Sequence, residues 1–210
     1  MSILASLFLN ACSVIGAGSY EEPAYTLVEK DGKIEIREYE PFLIAKTVVS
    51  GDYDRASGDG FNRLAAYIFG ENRSKAEMAM TTPVIQEEAN GEAGEKMDMT
   101  TPLVQEESGN GWMMAFVIPA KYTMETVPEP IDSNVILEQV PGRLVAAIRY
   151  SGMTDEEKMA DKEAELRAWL EERDFNILSD ARSARYDPPW TLPFLRRNEI
   201  LIDIAPPTAD

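Results

Sequence analysis

The chain has 210 residues with 44% apolar content, enough for one substantial hydrophobic core. Thirty-seven acidic residues against 20 basic ones give a formal charge of −17, which argues against bulk electrostatic binding to nucleic acid or to an anionic membrane. A single cysteine leaves no intrachain disulfide framework, and the lack of histidine removes the commonest metal ligand, the usual general base and every Ser-His or Cys-His arrangement.

Residues 1–24 read as a leader-like segment and linker. Residues 3–9 form a short apolar run, too short to span a membrane as a helix. The following Leu9-Asn10-Ala11-Cys12 resembles the cleavage box of bacterial lipoproteins, in which the cysteine is lipidated. No Lys or Arg precedes the run, and a frayed apolar tail on a cytoplasmic protein is the alternative reading. The expectation is an envelope protein held on the periplasmic side through a lipid on Cys12. One domain is expected over 25–205, with a tail at 206–210.

Within that domain, residues 26–29, 34–39 and 42–49 are β-rich runs, and Asp31-Gly32 between the first two signals a hairpin. The period then changes. Phe61, Leu64, Ala65, Ile68 and Phe69 follow the spacing of an amphipathic helix, with Asp59 as expected N-cap and Gly70 as the expected residue past its end. Residues 78–88 (MAMTTPVIQEE) recur nineteen positions later as 97–107 (MDMTTPLVQEE), with eight of eleven positions identical. Each copy reads as a strand, and proline suits an edge or bulge. An antiparallel pair with a shared Met-lined surface is expected, serving either an irregular core or an apolar guest.

Residues 112–118 read as a buried strand, and 135–140 with 143–150 as a second hairpin turning at Pro141-Gly142. Thr154 with Glu157 suggests a capping box opening a second helix, whose apolar stripe is Met159, Leu166, Trp169 and Leu170. Strands are expected again at 181–186 and 198–204. Strands, helix and strands occur twice, so the fold expected is α+β: an antiparallel, barrel-like sheet flanked by two helices, laid out as two similar halves. The densest positive cluster is Arg182, Arg185, Arg196 and Arg197. It reads either as structural ion pairs with Glu199 and Asp187 or as a site for carboxylates.

Several unconnected motifs occur in one order: IEIREYEPF at 34–42, GFNRLAAYIFG at 60–70, MAMTTPV at 78–84, FVIP at 116–119, VPGR at 140–143, YSG at 150–152 and ARYDPPWTLPFLRRNEI at 184–200. Together they resemble the SOUL haem-binding protein family across nearly the whole of the expected domain. The resemblance implies a distorted antiparallel β-barrel with two flanking helices, built as a pseudo-twofold duplication. It also implies binding of haem or a related tetrapyrrole in a shallow apolar groove beside the first helix. Carried onto this chain, the groove residues are Phe61, Arg63, Leu64, Ala65 and Ile68, with Trp190 as a flat aromatic wall. Some members are thought to ligate iron through histidine, and a chain without histidine cannot. Tyr67 and Tyr186 are the candidate tyrosine ligands.

Covering half a porphyrin removes roughly 300 Å² of apolar surface from water, on the order of 7 kcal/mol. Association costs of about 4 to 15 kcal/mol offset most of that, so binding no tighter than micromolar is expected without an iron–protein bond. The reading is therefore a non-catalytic tetrapyrrole carrier, buffer or scavenger, with a small-molecule ligand, no nucleic-acid partner, and membrane contact only through the lipid. No catalytic or metal-ligating residue is assigned. The alternatives are a general small-molecule binder akin to the drug-sensing domains of certain bacterial regulators, and an enzyme acting through Glu or Tyr in an apolar pocket.

Overall fold

The computed structural model describes residues 20–74, 77–78, 80–89, 111–188 and 190–207. Chain order is β1 (Tyr25–Asp31), β2 (Ile34–Tyr39), β3 (Phe42–Ser50), α1 (Tyr53–Ile68), β4 (Val84–Ala89), β5 (Gly111–Val117), β6 (Ile136–Val140), β7 (Arg143–Tyr150), α2 (Glu156–Glu172), β8 (Asn176–Ile177), β9 (Arg182–Arg185) and β10 (Asn198–Ala205). The strands pair antiparallel in the order β1-β2-β7-β10-β9-β4-β5-β3-β6, and β8 attaches to β10. This is the α+β, barrel-like architecture expected, as a curled half-barrel with β1 and β6 at the two ends of the strand order.

The strand order carries the duplication. Exchanging β2 with β6, β7 with β3, β10 with β5, and β9 with β4 leaves the path from β2 to β6 unchanged. A pseudo-twofold axis therefore passes between β9 and β4, where the register centres on Ile85 opposite Ala184. The two halves also trade strands, since β2 pairs with β7 and β6 pairs with β3.

Both helices cover the same sheet face. Leu64, Tyr67 and Ile68 of α1 pack on Leu43, Ala45, Met114 and Phe116. Leu166 and Leu170 of α2 pack on Ile34, Ile36, Ile148 and Ile202. The opposite face closes on itself around Tyr39, Val145, Ala184, Tyr186 and Leu201.

Local chemistry explains where elements begin and end. Gly32 takes the left-handed φ of +57° that the tight turn between β1 and β2 requires, and Asp31 faces Ile34 across it. The first helix starts earlier than the apolar spacing predicts. Asp52, not Asp59, is its N-cap, and its carboxylate accepts the Arg55 amide at 2.9 Å. Two glycines hide that first stretch from a propensity argument. Gly60 is there because a Cβ would lie 3.3 Å from the Cβ of Met114, so glycine lets α1 settle close on β5. Phe69 closes the helix through Ala65, and Gly70 follows at φ +107°.

The second helix is capped by Asp155, whose carboxylate accepts the Lys158 amide at 2.8 Å, and not by Thr154. Of the first MAMTTPV copy, Val84 begins β4, while Thr81 makes a bridge to Glu21. Met78 is buried in the α1 core with Met80 packed against it, so this copy serves the core. The second copy, Met97 to Glu107, lies outside the described residues, as does Cys12. Among the described residues, no helix is long and apolar enough to cross a membrane.

Candidate ligand-binding site

A cleft of about 480 Å³ opens beside the C-terminal half of α1. Arg63, Ala66 and Tyr67 form its helix wall, and Ile131 and Val135 face them from the segment between β5 and β6. A turn within that segment is fixed by its own hydrogen bonds. Asp132 accepts from the Asn134 amide at 2.9 Å and from its side chain at 2.8 Å. These bonds, with the Arg63 charge, hold the Asp132 carboxyl below its ordinary value.

Arg63 spans the cleft. Its Nη1 donates to Thr47 Oγ1 at 2.8 Å on β3, and its Nε lies 3.2 Å from Asp132. Both partners of this ion pair keep part of their surface in water, so the guanidinium remains reachable by an anionic group on a ligand. Glu71 adds a second carboxylate to the rim.

Tyr67 shows its ring to the cleft but not its hydroxyl. The phenol donates to the Pro128 carbonyl at 2.7 Å in a buried bond, and burial, aided by Tyr122, pushes it up to about 12. A phenol so engaged offers no free oxyanion in this structure. Tyr186 is spent in the same way: its hydroxyl donates to Glu199 at 2.8 Å, and burial holds it well above the ordinary tyrosine value.

Of the six side chains expected to line a groove, Arg63 does so. Leu64 and Ile68 are core residues, 0% and 1% exposed, and present no surface to a ligand. The amphipathic spacing selects the face that packs on the sheet, and the cleft lies on its flank. Ala65 packs against the same core, part-buried. Phe61 is partly exposed and sets its ring edge-on to Phe116 at 5.3 Å. Trp190 is 80% exposed, on a loop whose Pro193 carbonyl accepts the Gly152 amide. Tyr67, expected as a candidate iron ligand, lines the cleft instead, and the cleft residues the sequence did not single out include Ala66, Ile131, Asp132 and Val135. Their signal was faint: a small residue near Arg63, completed by a loop far along the chain.

The arginine cluster is mostly structural. Arg37 of β2 clasps Glu199 of β10 through two bonds of 2.6 and 2.9 Å, and Arg197 Nε adds a third at 2.9 Å. Burial alone would raise the Glu199 carboxyl. Its bonds and charge partners, Arg37 above all, overcome that and hold it at about 2. Asp187 accepts the Arg197 amide at 2.6 Å. Arg143 and Arg182 share Asp203, beside a space of only about 20 Å³. Among the described residues, no three acidic or cysteine side chains gather as a metal site.

The comparisons agree with this architecture. The family description "SOUL heme-binding protein" matches residues 20–203. The chain is 34% identical over 180 residues to heme-binding protein 1 of Xenopus laevis, covering 82% of this chain and 84% of that protein. It is 27% identical over 211 residues to heme-binding protein 2 of Homo sapiens, covering 96% and 95%. Among solved structures, the EcmrR C-terminal domain superposes with a TM-score of 0.56 at 12% identity, covering 87% of this chain and 98% of that one, a likeness of fold alone. On the family match over nearly its whole folded length and on a fold of the expected kind, the chain belongs to the SOUL heme-binding protein family.

Proposed function

We propose that this protein binds haem or a related tetrapyrrole by one face in the cleft between α1 and the 128–135 segment, as a carrier, buffer or scavenger and not as a catalyst. One observation carries the reading: an open cleft of about 480 Å³ with apolar walls at Ala66, Ile131 and Val135 and a reachable arginine at its side. The family match and the names of the two relatives supply the ligand class. The residues present fit a macrocycle held by contact area. Arg63 meets a propionate in competition with Asp132, and neither tyrosine considered supplies an axial bond.

Titrating the purified protein with hemin tests this. A saturable Soret shift is expected, with Ile131→Asp and Arg63→Met each weakening it. Metal-free protoporphyrin should bind within about tenfold of hemin, because the contacts proposed ignore the iron. A hemin spectrum unchanged by the protein sinks the proposal. The acidic rim of Glu71 and Asp132 favours a second reading, a binder of planar cationic aromatics. A thermal shift with such cations and none with porphyrins would establish it.

Envelope anchoring through Cys12 is the matching proposal for localisation, supported by the lipoprotein-like box. Detergent-phase partition of the protein expressed in a bacterial host, lost in Cys12→Ser, is the expected result. Equal partition of the two forms would refute it.

A further inference from the structure

Arg185 is a member of the arginine cluster that makes no ion pair among the described residues. Its Nε and Nη2 are buried with no hydrogen-bond partner, and no carboxylate among the described residues pairs with it. Burial, with the Arg196 charge nearby, pushes its guanidinium below the ordinary arginine value. Arg185 itself is part-buried, and these donors stay without a carboxylate in a chain with a formal charge of −17.

Its location is specific. Arg185 stands on β9 opposite Val84 of β4, on the sheet face that carries both helices, beside the pseudo-twofold axis. The register makes Gln86 its counterpart across that axis. Gln86 sits diagonally from Arg185, within reach of a long side chain. Its Oε1 accepts from Ser57 at 3.0 Å, while its Nε2 is buried without a partner. Three unsatisfied donor atoms on two side chains thus come from two strands into the seam between α1 and α2.

The seam's walls are aromatic and soft. The Arg185 guanidinium lies 5.2 Å from the ring centroid of Tyr53, the first residue of α1. Trp112 meets that ring edge-on at 5.0 Å, and the Tyr53 hydroxyl donates to Met159 Sδ of α2 at 3.5 Å. A guanidinium edge presenting Nε and Nη2 matches the two oxygens of a carboxylate, and the rings around it suit an apolar body.

We propose that the seam between α1 and α2 is a second binding site, for a small carboxylate carrying an apolar or aromatic group, with Arg185 pairing its two oxygens and Gln86 donating to one of them. The Tyr53–Met159 contact between the helices is what must part to admit it. This site shares no residue with the cleft beside Arg63.

Benzoate is the probe, tested by calorimetry and thermal unfolding at constant ionic strength against chloride. Saturable binding is expected in the wild type. It should weaken about tenfold or more in Arg185→Lys, which keeps the charge and loses the fork, and vanish in Arg185→Met. Arg63→Met should leave it intact. Should Arg185→Met fail to fold, the wild-type Arg185 Nε–H resonance, identified by its loss in Arg185→Lys, must move as benzoate is added. Benzoate binding that survives Arg185→Met, no benzoate effect beyond chloride, or an Nε–H resonance that stays still would overturn the proposal. A response to phosphate alone would overturn the carboxylate class.

Discussion

The two halves of this protein use one frame and finish it differently. Each sets a helix capped by aspartate on the same sheet face, and each buries two aliphatic side chains four apart: Leu64 and Ile68 on α1, Leu166 and Leu170 on α2. Beyond α2 the surface is shut. Trp169 stacks on Phe175 at 6.1 Å, Arg173 lies 4.1 Å over Trp169, and Asp31 binds both Trp169 and Arg173. Beside α1 the connection between β5 and β6 is tied to the helix end at Pro128, Glu129 and Pro130, and the cleft opens against it. Room for a ligand therefore arises from the connection after the repeated unit, not from the unit itself.

The largest effect should come from cutting the link between the halves. Arg37 enters from the first and Glu199 from the second, both almost fully buried. Glu199→Ala should cost about 3 kcal/mol in urea unfolding, because it leaves the buried Arg37 with part-buried Glu35 as its one remaining carboxylate among the described residues and removes the acceptor of Tyr186 and Arg197. The same pair gives the acid response a sign. The folded Glu199 carboxyl is held at about 2, below its ordinary 4.5, so its stabilisation is complete above about 4.5 and drains as pH falls toward 2. That shift corresponds to about 3 kcal/mol at full effect. Urea midpoints followed through this range should fall more steeply in the wild type than in Glu199→Gln; parallel curves would contradict it.

Leu64→Ala and Leu166→Ala break one half each. Both residues are 0% exposed, and each truncation should cost about 2 to 5 kcal/mol by chemical denaturation. Similar losses are expected, since the repeated units are packed alike. A loss confined to one variant would mean that one half carries the stability.

Strand β2 and both helices were legible because their burial is periodic, while β5 and β7 read as continuous apolar runs. Ile34 and Ile36 point together into the α2 core, and Leu64 and Ile68 keep a helical spacing. The start of α1 was not legible, because Gly58 and Gly60 weigh against a helix until the close approach to Met114 is known. The site was harder for a physical reason. An apolar stripe reports the face a helix buries in its own core, so reading it as a groove names Leu64 and Ile68, which are closed off in the core. A cleft wall is mixed in character, here part-exposed Arg63 and Ala66 beside buried Tyr67, and carries little periodicity. Its far side, Ile131 and Val135, joins through tertiary structure.

Tyr67→Phe gives the smallest effect and the sharpest view of the cleft. The ring remains as a wall, while the Pro128 carbonyl loses a buried donor at 2.7 Å. About 1 kcal/mol of stability should go with it, read from the urea midpoint. The loss should fall on the packing of the 128–135 segment against α1, so hemin affinity should drop only severalfold, following the pocket's shape. If the phenol ligated iron, the same change would shift the Soret maximum of the ferric complex, since an oxygen would leave the metal. An unshifted maximum with modestly weaker binding is the expected pair of results, because a hydroxyl already donating to a carbonyl and pushed up to about 12 has no free anion to offer.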